Sequence, residues 1–301
     1  MTEIIKTDFN IYALVVVKNE GDIIYDTITA AAQWANKVFV MDNMSTDDTW
    51  EKLQGLEKEI ENVVLWGRYG GNFNEGLRQI LYREYKQLAS DNDWWCRLDG
   101  DEFYIDDPRE FISALPKKVD HIYNASFQYY YTESDYHREI SSIECDSDKS
   151  FKKLEWYKCN HSEIRFVKNK KTICWTQGEG WPCNLLNAAS IRIRLKHFQY
   201  RNLKQISDRF HIRSEKLSGD TFKHEIVSDI SWYKRRGFTF PDNDIFVNYK
   251  IVKSSDLIRG SHYVYSDEQL PKIVCASMKK YLKCVFVYVY MVFFNRLFFN
   301  I

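Results

Sequence analysis

Three runs of uninterrupted apolar residues, at 11–17, 38–41 and 63–66, each end in polar or turn-forming residues, and this repetition limits the folds open to the chain more than any other feature. A strand that is apolar at every position offers no face to water, so it belongs in a sheet covered on both sides. After the first run, Ile24, Ile28, Ala31, Ala32 and Ala35 recur at helical spacing; after the second, a turn-rich stretch from Asp42 to Thr49 opens a helix through residue 60. A fourth run at 94–98 follows a predicted helix over 74–89. The order βαβαβ implies parallel strands joined by helical crossovers. The expected fold class is α/β, a central, mostly parallel sheet flanked by helices, with ligands at the carboxyl ends of the strands.

The residues at those ends are Asn19 and Glu20, Asp42, and the group Asp99, Gly100, Asp101 and Glu102. Asp-x-Asp occurs four times, at 91/93, 99/101, 146/148 and 242/244, so the pattern alone selects nothing. Only Asp99 and Asp101 directly follow a strongly apolar strand, and Gly100 lets the backbone turn tightly enough for both carboxylates to approach one ion. A hard divalent cation takes oxygen ligands and, bridging two phosphates, acts as a Lewis acid for a departing diphosphate. Asp42 can accept two donors at once from ribose hydroxyls or a base N–H, or it can serve as a turn or cap residue. Glu20 can equally cap the helix that follows it, and Ser45 and Asp47 read as turn and cap residues. Arg78, on the predicted 74–89 helix, can fork onto phosphate oxygens or make an ordinary helix-surface ion pair.

Taken in order, VVVKNEGD, FVMDNMSTDDT and WWCRLDGDEF resemble the family 2 glycosyltransferases, in the branch whose first motif is K-N-E, over residues 10–107. The resemblance implies a GT-A type nucleotide-sugar-binding fold and metal-dependent, inverting transfer of a sugar. The implied donor is a nucleotide-diphosphate sugar, expected to be a UDP-sugar. The implied acceptor is a glycan or lipid-linked group in cell-surface polysaccharide or lipopolysaccharide assembly. It places Asn19, Glu20 and Asp42 around the nucleobase and ribose, Asp99 on ribose or metal, Asp101 on metal and diphosphate, and Arg78 beside the diphosphate. The segment KHFQYRN at 196–202 resembles the H-[FY]-x-Y-R stretch of that branch, which makes His197 a third metal ligand. An imidazole nitrogen suits Mn²⁺ better than Mg²⁺. Arg201 and Lys204, in the basic region around it, are carried as phosphate contacts.

An inverting transfer also needs a base for the acceptor hydroxyl. Many family 2 members use a Glu-Asp pair, and no such pair occurs after residue 102. The substitute is Glu179, in QGEGWP at 177–182, where the glycines give it reach and Trp181 offers a ring for the sugar's C–H face. Asp101 shares the catalytic role through the metal.

Lysine plus arginine and aspartate plus glutamate stand at 42 each in 301 residues, so no whole-protein field favours nucleic acid. Seven scattered cysteines without a C-x-x-C pair read as reduced thiols of a cytoplasmic protein, and Cys159, His161, Cys174 and Cys183 fit no common zinc spacing. The expected organisation is a glycosyltransferase domain over 1–218, with a nucleotide-binding half at 10–107 and an acceptor half at 108–218, then an extension over 219–301. Residues 132–150 are expected to form a loop or lid, residues 171–175 a short strand and residues 202–217 a helix. The apolar, aromatic end at 281–301 is too short and interrupted for a bilayer span and suits a peripheral membrane contact or a packing element. Two rivals stand beside this reading. A sugar nucleotidyltransferase usually shows a Gly-rich basic loop after its first strand, where this chain has the acidic Lys18-Asn19-Glu20-Gly21-Asp22; an inactive membrane-associated scaffold rests on the missing Glu-Asp pair.

Overall fold

The computed structural model describes residues 7–141, 147–206, 208–209, 244–247, 250–253 and 257–273. The chain divides into two compact units, each built from separated segments: 1–126, 161–195 and 266–301 in the first, 127–160 and 196–265 in the second.

The first unit opens with β1 (Ile11–Val17), α1 (Ile24–Trp34), β2 (Lys37–Asp42), α2 (Thr49–Glu59), β3 (Val63–Arg68), α3 (Leu77–Tyr85) and β4 (Trp94–Leu98). β1 pairs in parallel with both β2 and β4, and β2 in parallel with β3, giving the order 3-2-1-4. After β5 (Glu102–Tyr104) and α4 (Pro108–Ser113), β6 (His121–Tyr129) begins in this unit and ends in the second. β8 (Ile164–Lys168) pairs antiparallel with both β4 and β6, and β9 (Ile193–His197) pairs with β5. The class is the expected mixed α/β one, with a central, mostly parallel sheet flanked by helices.

The reason β1 is apolar throughout is visible in its two faces. Ile11, Ala13, Val15 and Val17 pack with α1 and α2 through Ile24, Ile28, Ala31, Leu53 and Leu56. Tyr12, Leu14 and Val16 pack on the opposite side with Leu77, Leu81 and Tyr82 of α3. Burying a side chain of this size stabilises by about 1.5–3 kcal/mol, and a strand with helices on both faces gains this at every position.

The second unit contains the end of β6, α5 (Glu133–Ser141), a 3-10 turn at Ser147–Lys153, β7 (Trp156–His161, up to Asn160), β10 (Asp244–Val247), β11 (Lys250–Lys253) and β12 (Ile258–Arg259). β12 pairs antiparallel with β7, and β10 with β11. Its interior is aromatic: Tyr129 stacks on Phe198 at 4.5 Å, and the Tyr129 and Tyr263 hydroxyls meet at 2.9 Å.

Three local expectations need correction. The 132–150 stretch is not an open loop, because Thr132 and Asp135 form a capping box (Thr132 N to Asp135 Oδ2 2.8 Å, Asp135 N to Thr132 Oγ1 3.2 Å) that starts α5. Residues 171–175, expected as a strand, form none. The fully buried Asn184 supplies what a ladder neighbour would, accepting from Cys174 N at 3.0 Å and donating to Thr172 O at 2.5 Å. β7 was not anticipated, although its buried Tyr157 and Cys159 alternate with Lys158 and Asn160 as a half-covered strand requires. Of the helix expected from 202 to 217, residues 203–206 and 208–209 are helical; its remainder and the 281–301 tail lie outside the described residues. No helix among the described residues is long and apolar enough to cross a membrane.

Candidate functional site

The carboxyl ends of β1, β2 and β4 in the first unit lie side by side, and the loops leaving them are bound to one another. Asn19 takes a left-handed conformation, φ 55°, which asparagine tolerates better than most residues. This orientation lets its side chain bracket Thr46, accepting from Thr46 N at 2.8 Å and donating to Thr46 Oγ1 at 3.1 Å. Asn19 N donates to Ser45 Oγ, Glu20 N to Thr49 Oγ1 and Gly21 N to Asp47 Oδ2, all at 2.9–3.0 Å. Lys18 Nζ closes the seam on the carbonyls of Asn43 and Met44. Ser45 and Asp47 thus have the structural roles expected of them.

Asp42 lies beneath this seam with no solvent exposure. Its carboxylate accepts from Ser45 N and Oγ and from Arg68 Nε at 2.7 Å. The turn role that the sequence allowed for Asp42 is the one occupied in this conformation. The partly buried Glu20 comes close to the Asp-x-Asp turn: a Cβ added at Gly100 would lie 3.3 Å from Glu20 Cγ and 2.8 Å from Val17 Cγ1. Gly100 is therefore required for the close approach of its turn to the end of β1. Thr27 of α1 fixes that turn by donating to Gly100 O at 2.8 Å.

Asp99 is one-quarter exposed and is held by two buried arginines. Arg78 Nη2 donates to Asp99 Oδ1, and Arg165 Nη1, from β8, donates to Asp99 Oδ2 at 3.1 Å. Arg165 Nη2 also binds Glu102 Oε1 and reaches Glu163 Oε1 at 2.8 Å. A third arginine, Arg97 of β4, pairs with Glu75 Oε2 at 2.6 Å and Glu163 Oε2 at 3.0 Å, and its guanidinium stands 5.3 Å from the Trp181 ring centroid. Asp101, 4% exposed, completes the turn.

Burial disfavours every one of these charges, and the network answers this with opposite charge. Burial would lower the Arg165 pKa, but Glu102, Glu163 and Asp99 raise it well above the ordinary arginine value. Burial would raise the Glu163 carboxyl, but Arg165, a hydrogen bond from His161 and Arg97 bring it down to about 2. Arg78 is the exception: burial lowers it, and Asp99 only partly offsets the effect. Among the described residues Arg78 Nε and Nη1 have no hydrogen-bond acceptor, and Nη1 has only an ion-pair contact to Glu75 at 3.7 Å.

Glu179 is exposed on a loop that packs tightly on the start of α3. A Cβ at Gly76 would stand 2.4 Å from the Gly178 backbone, and Gly178 itself has φ +85°. Trp175 Nε1 donates to Glu179 O at 2.7 Å, fixing the main chain. His197, Arg201 and Lys204 belong to the second unit. There Arg201, 1% exposed, donates to Phe198 O at 2.8 Å, while Lys204 pairs with Asp208 at 2.8 Å on an exposed helical face. Among the described residues no group of three or more His, Cys, Asp or Glu side chains is arranged to hold a metal ion.

Sequence reasoning singled out Asp99, Asp101 and Arg78 but missed Arg97, Arg165, Glu163, Glu102 and Glu75. The signal was present: Arg97 in WWCRL and Arg165 in IRFVK are charges inside otherwise buried strands, where arginine is rare unless paired.

No protein-family model and no curated protein matches the chain. Among solved structures it is similar to Staphylococcus aureus TarS (residues 1–349) in complex with UDP, at 14% identity over 40% of this chain and 36% of that one, with a TM-score of 0.30. A further structure of S. aureus TarS 1–349 aligns over 72% and 69% of the two chains at 10% identity and a TM-score of 0.38. The mannosyltransferase PcManGT of Pyrobaculum calidifontis, in complex with GDP-Man and Mn²⁺, aligns over 70% and 65% at 10% identity and a TM-score of 0.37. The chain spans about a third of the length of the UDP-bound TarS structure.

Proposed function

We propose that this chain is a metal-dependent glycosyltransferase of the GT-A type, transferring a sugar from a nucleotide-diphosphate donor to a hydroxyl acceptor. The observation that carries the reading is the Asp99-Gly100-Asp101 turn at the carboxyl end of the central parallel strands, beside the buried guanidiniums of Arg78 and Arg165 that bind Asp99. Around that turn the guanidiniums of Arg78, Arg97 and Arg165 pair with the carboxylates of Glu75, Asp99, Glu102 and Glu163. Two carboxylates in one turn fit an ion that completes its shell with phosphate oxygens and water, as Mg²⁺ and Mn²⁺ do beside diphosphates.

Asp99 and Asp101 would hold that ion, which supplies Lewis-acid stabilisation of the departing diphosphate when bound. Arg78 remains charged beside Asp99 with donors to spare, so it is suited to a phosphate oxygen brought next to it. The Asn19–Thr46 seam and Glu20 form a rigid border for the nucleoside. UDP is the proposed nucleotide, and a glycan or lipid-linked hydroxyl of cell-surface polysaccharide assembly the proposed acceptor, on the sequence resemblance.

The test is a panel of UDP- and GDP-sugars with Mn²⁺ or Mg²⁺, following nucleotide release and calorimetric binding. Asp101→Ala is expected to abolish metal-dependent turnover while the protein stays folded. If the wild-type protein binds none of the donors, or Asp101→Ala behaves as wild type, the proposal is wrong.

A further inference from the structure

We infer that His161, oriented by Glu163, is the base that takes the acceptor's proton, and that Glu179 is not. This rests on the glycosyl-transfer reading above. His161 ends β7 and Glu163 lies in the short link to β8, so both emerge from one tight connection in the first unit. The connection is rigid. Glu163 N donates to Asn124 Oδ1 at 2.7 Å, Asn124 N donates to Glu163 O at 2.9 Å, and Ser162 Oγ donates to Asn124 O at 2.5 Å.

The Glu163 carboxylate is fixed at both oxygens, by Arg165 Nη2 at 2.8 Å and Arg97 Nη1 at 3.0 Å, and His161 Nε2 approaches Oε1 at 3.4 Å. Both arginines also reach Asp99, Arg165 at 3.1 Å and Arg97 at 3.9 Å. The imidazole is thus linked to the Asp-x-Asp turn through one carboxylate and one guanidinium. The charged groups bearing on it are Glu163 from its own connection, Arg97 from β4, Arg165 from β8 and, behind them, Asp99.

An ionised carboxylate only accepts hydrogen bonds, so Nε2 carries the imidazole proton and Nδ1 presents its lone pair. His161 is half exposed, so that lone pair is open to an acceptor. In the reaction Nδ1 takes the hydroxyl proton and the acceptor oxygen's electron pair forms the new bond to the anomeric carbon. The old anomeric C–O bond breaks with its pair leaving on the nucleoside diphosphate, and Glu163 stabilises the imidazolium. Glu179 has no comparable support: among the described residues nothing orients its carboxylate, whereas an effective base is held by a third group.

The experiment uses UDP-glucose, UDP-N-acetylglucosamine and GDP-mannose with Mn²⁺, measuring affinity by calorimetry and turnover by nucleotide release from pH 5.5 to 9. His161→Asn should leave nucleotide affinity within twofold and reduce turnover by a hundredfold or more. The acidic limb of the wild-type pH profile should disappear with the imidazole. Nitrogen chemical shifts of His161 should report the Nε2–H tautomer in the wild type and its loss in Glu163→Gln. Turnover in His161→Asn within threefold of wild type, or an Nδ1–H tautomer in the wild type, overturns the assignment and leaves the glycosyltransferase reading intact. Failure of the wild type to bind any of the three donors overturns both.

Discussion

Replacing Arg165 by methionine tests whether the ionic network under Asp99 is structural as well as electrostatic. The guanidinium is 1% exposed and serves three carboxylates: Asp99, Glu102 and Glu163. Two of these retain another arginine after the substitution, Asp99 through Arg78 and Glu163 through Arg97. Glu102 loses its ion pair with Arg165 while its side chain has no solvent exposure, and it keeps a hydrogen bond from Asp99 N at 3.3 Å. Removing one partner of a buried pair costs about 3–5 kcal/mol, a large share of the ~5–15 kcal/mol typical of a native protein. For a unit of this size the melting temperature should drop by about 10 °C. The assay is urea unfolding followed by the emission of Trp94 and Trp95, which sit on β4 next to the network. The double variant Arg165→Met/Glu102→Gln should recover about 2 kcal/mol, because the buried carboxylate that loses the Arg165 ion pair is no longer charged. A single variant that loses less than about 1 kcal/mol, or a double variant whose effects simply add, would refute the reasoning.

Two further outcomes follow from the same site. Gly100→Ala places a methyl 2.8 Å from Val17 Cγ1, so it should cost about 1–3 kcal/mol of stability and weaken Mn²⁺ binding, measured together by melting with and without the ion. The Glu163 carboxyl, depressed from 4.5 to about 2, contributes stability that is complete above pH 4.5 and is lost as pH falls toward 2. Glu163→Gln should flatten the stability curve in that window by on the order of 3 kcal/mol, and parallel curves for the two proteins would contradict the ionic assignment.

The first four strands of the fold are legible because the central ones are buried on both faces. An apolar run such as 11–17 has one physical interpretation once helices flank it, and the polar residues that end it mark the ligand side. The segments after 130 are harder to read because their backbone is satisfied by side chains instead of ladders, as Asn184 does for 172–174, or because a short cap such as Thr132-Asp135 outweighs a polar composition. The site was legible only in part for a related reason. Asp99 and Asp101 follow a strand in sequence, and Arg97 precedes them on it, but Arg165 and Glu163 are brought to this end of β4 by its antiparallel pairing with β8, across more than sixty residues, and a local pattern that marks a buried arginine as paired does not name its partner. Asp42 shows the converse: a strand-end carboxylate that looks available is already taken by Ser45 and Arg68.

The contact between Gly76 and Gly178 bears on how this protein can be re-engineered. The loop carrying Trp175, Glu179 and Trp181 sits where it does because two backbones touch without a side chain between them, one at a helix start and the other at a positive φ. Loop and helix start therefore form a single exchangeable cassette. A graft of residues 176–182 from another scaffold would seat only if the recipient also carried glycine at the matching helix position, and a library that randomises the loop should hold both glycines fixed.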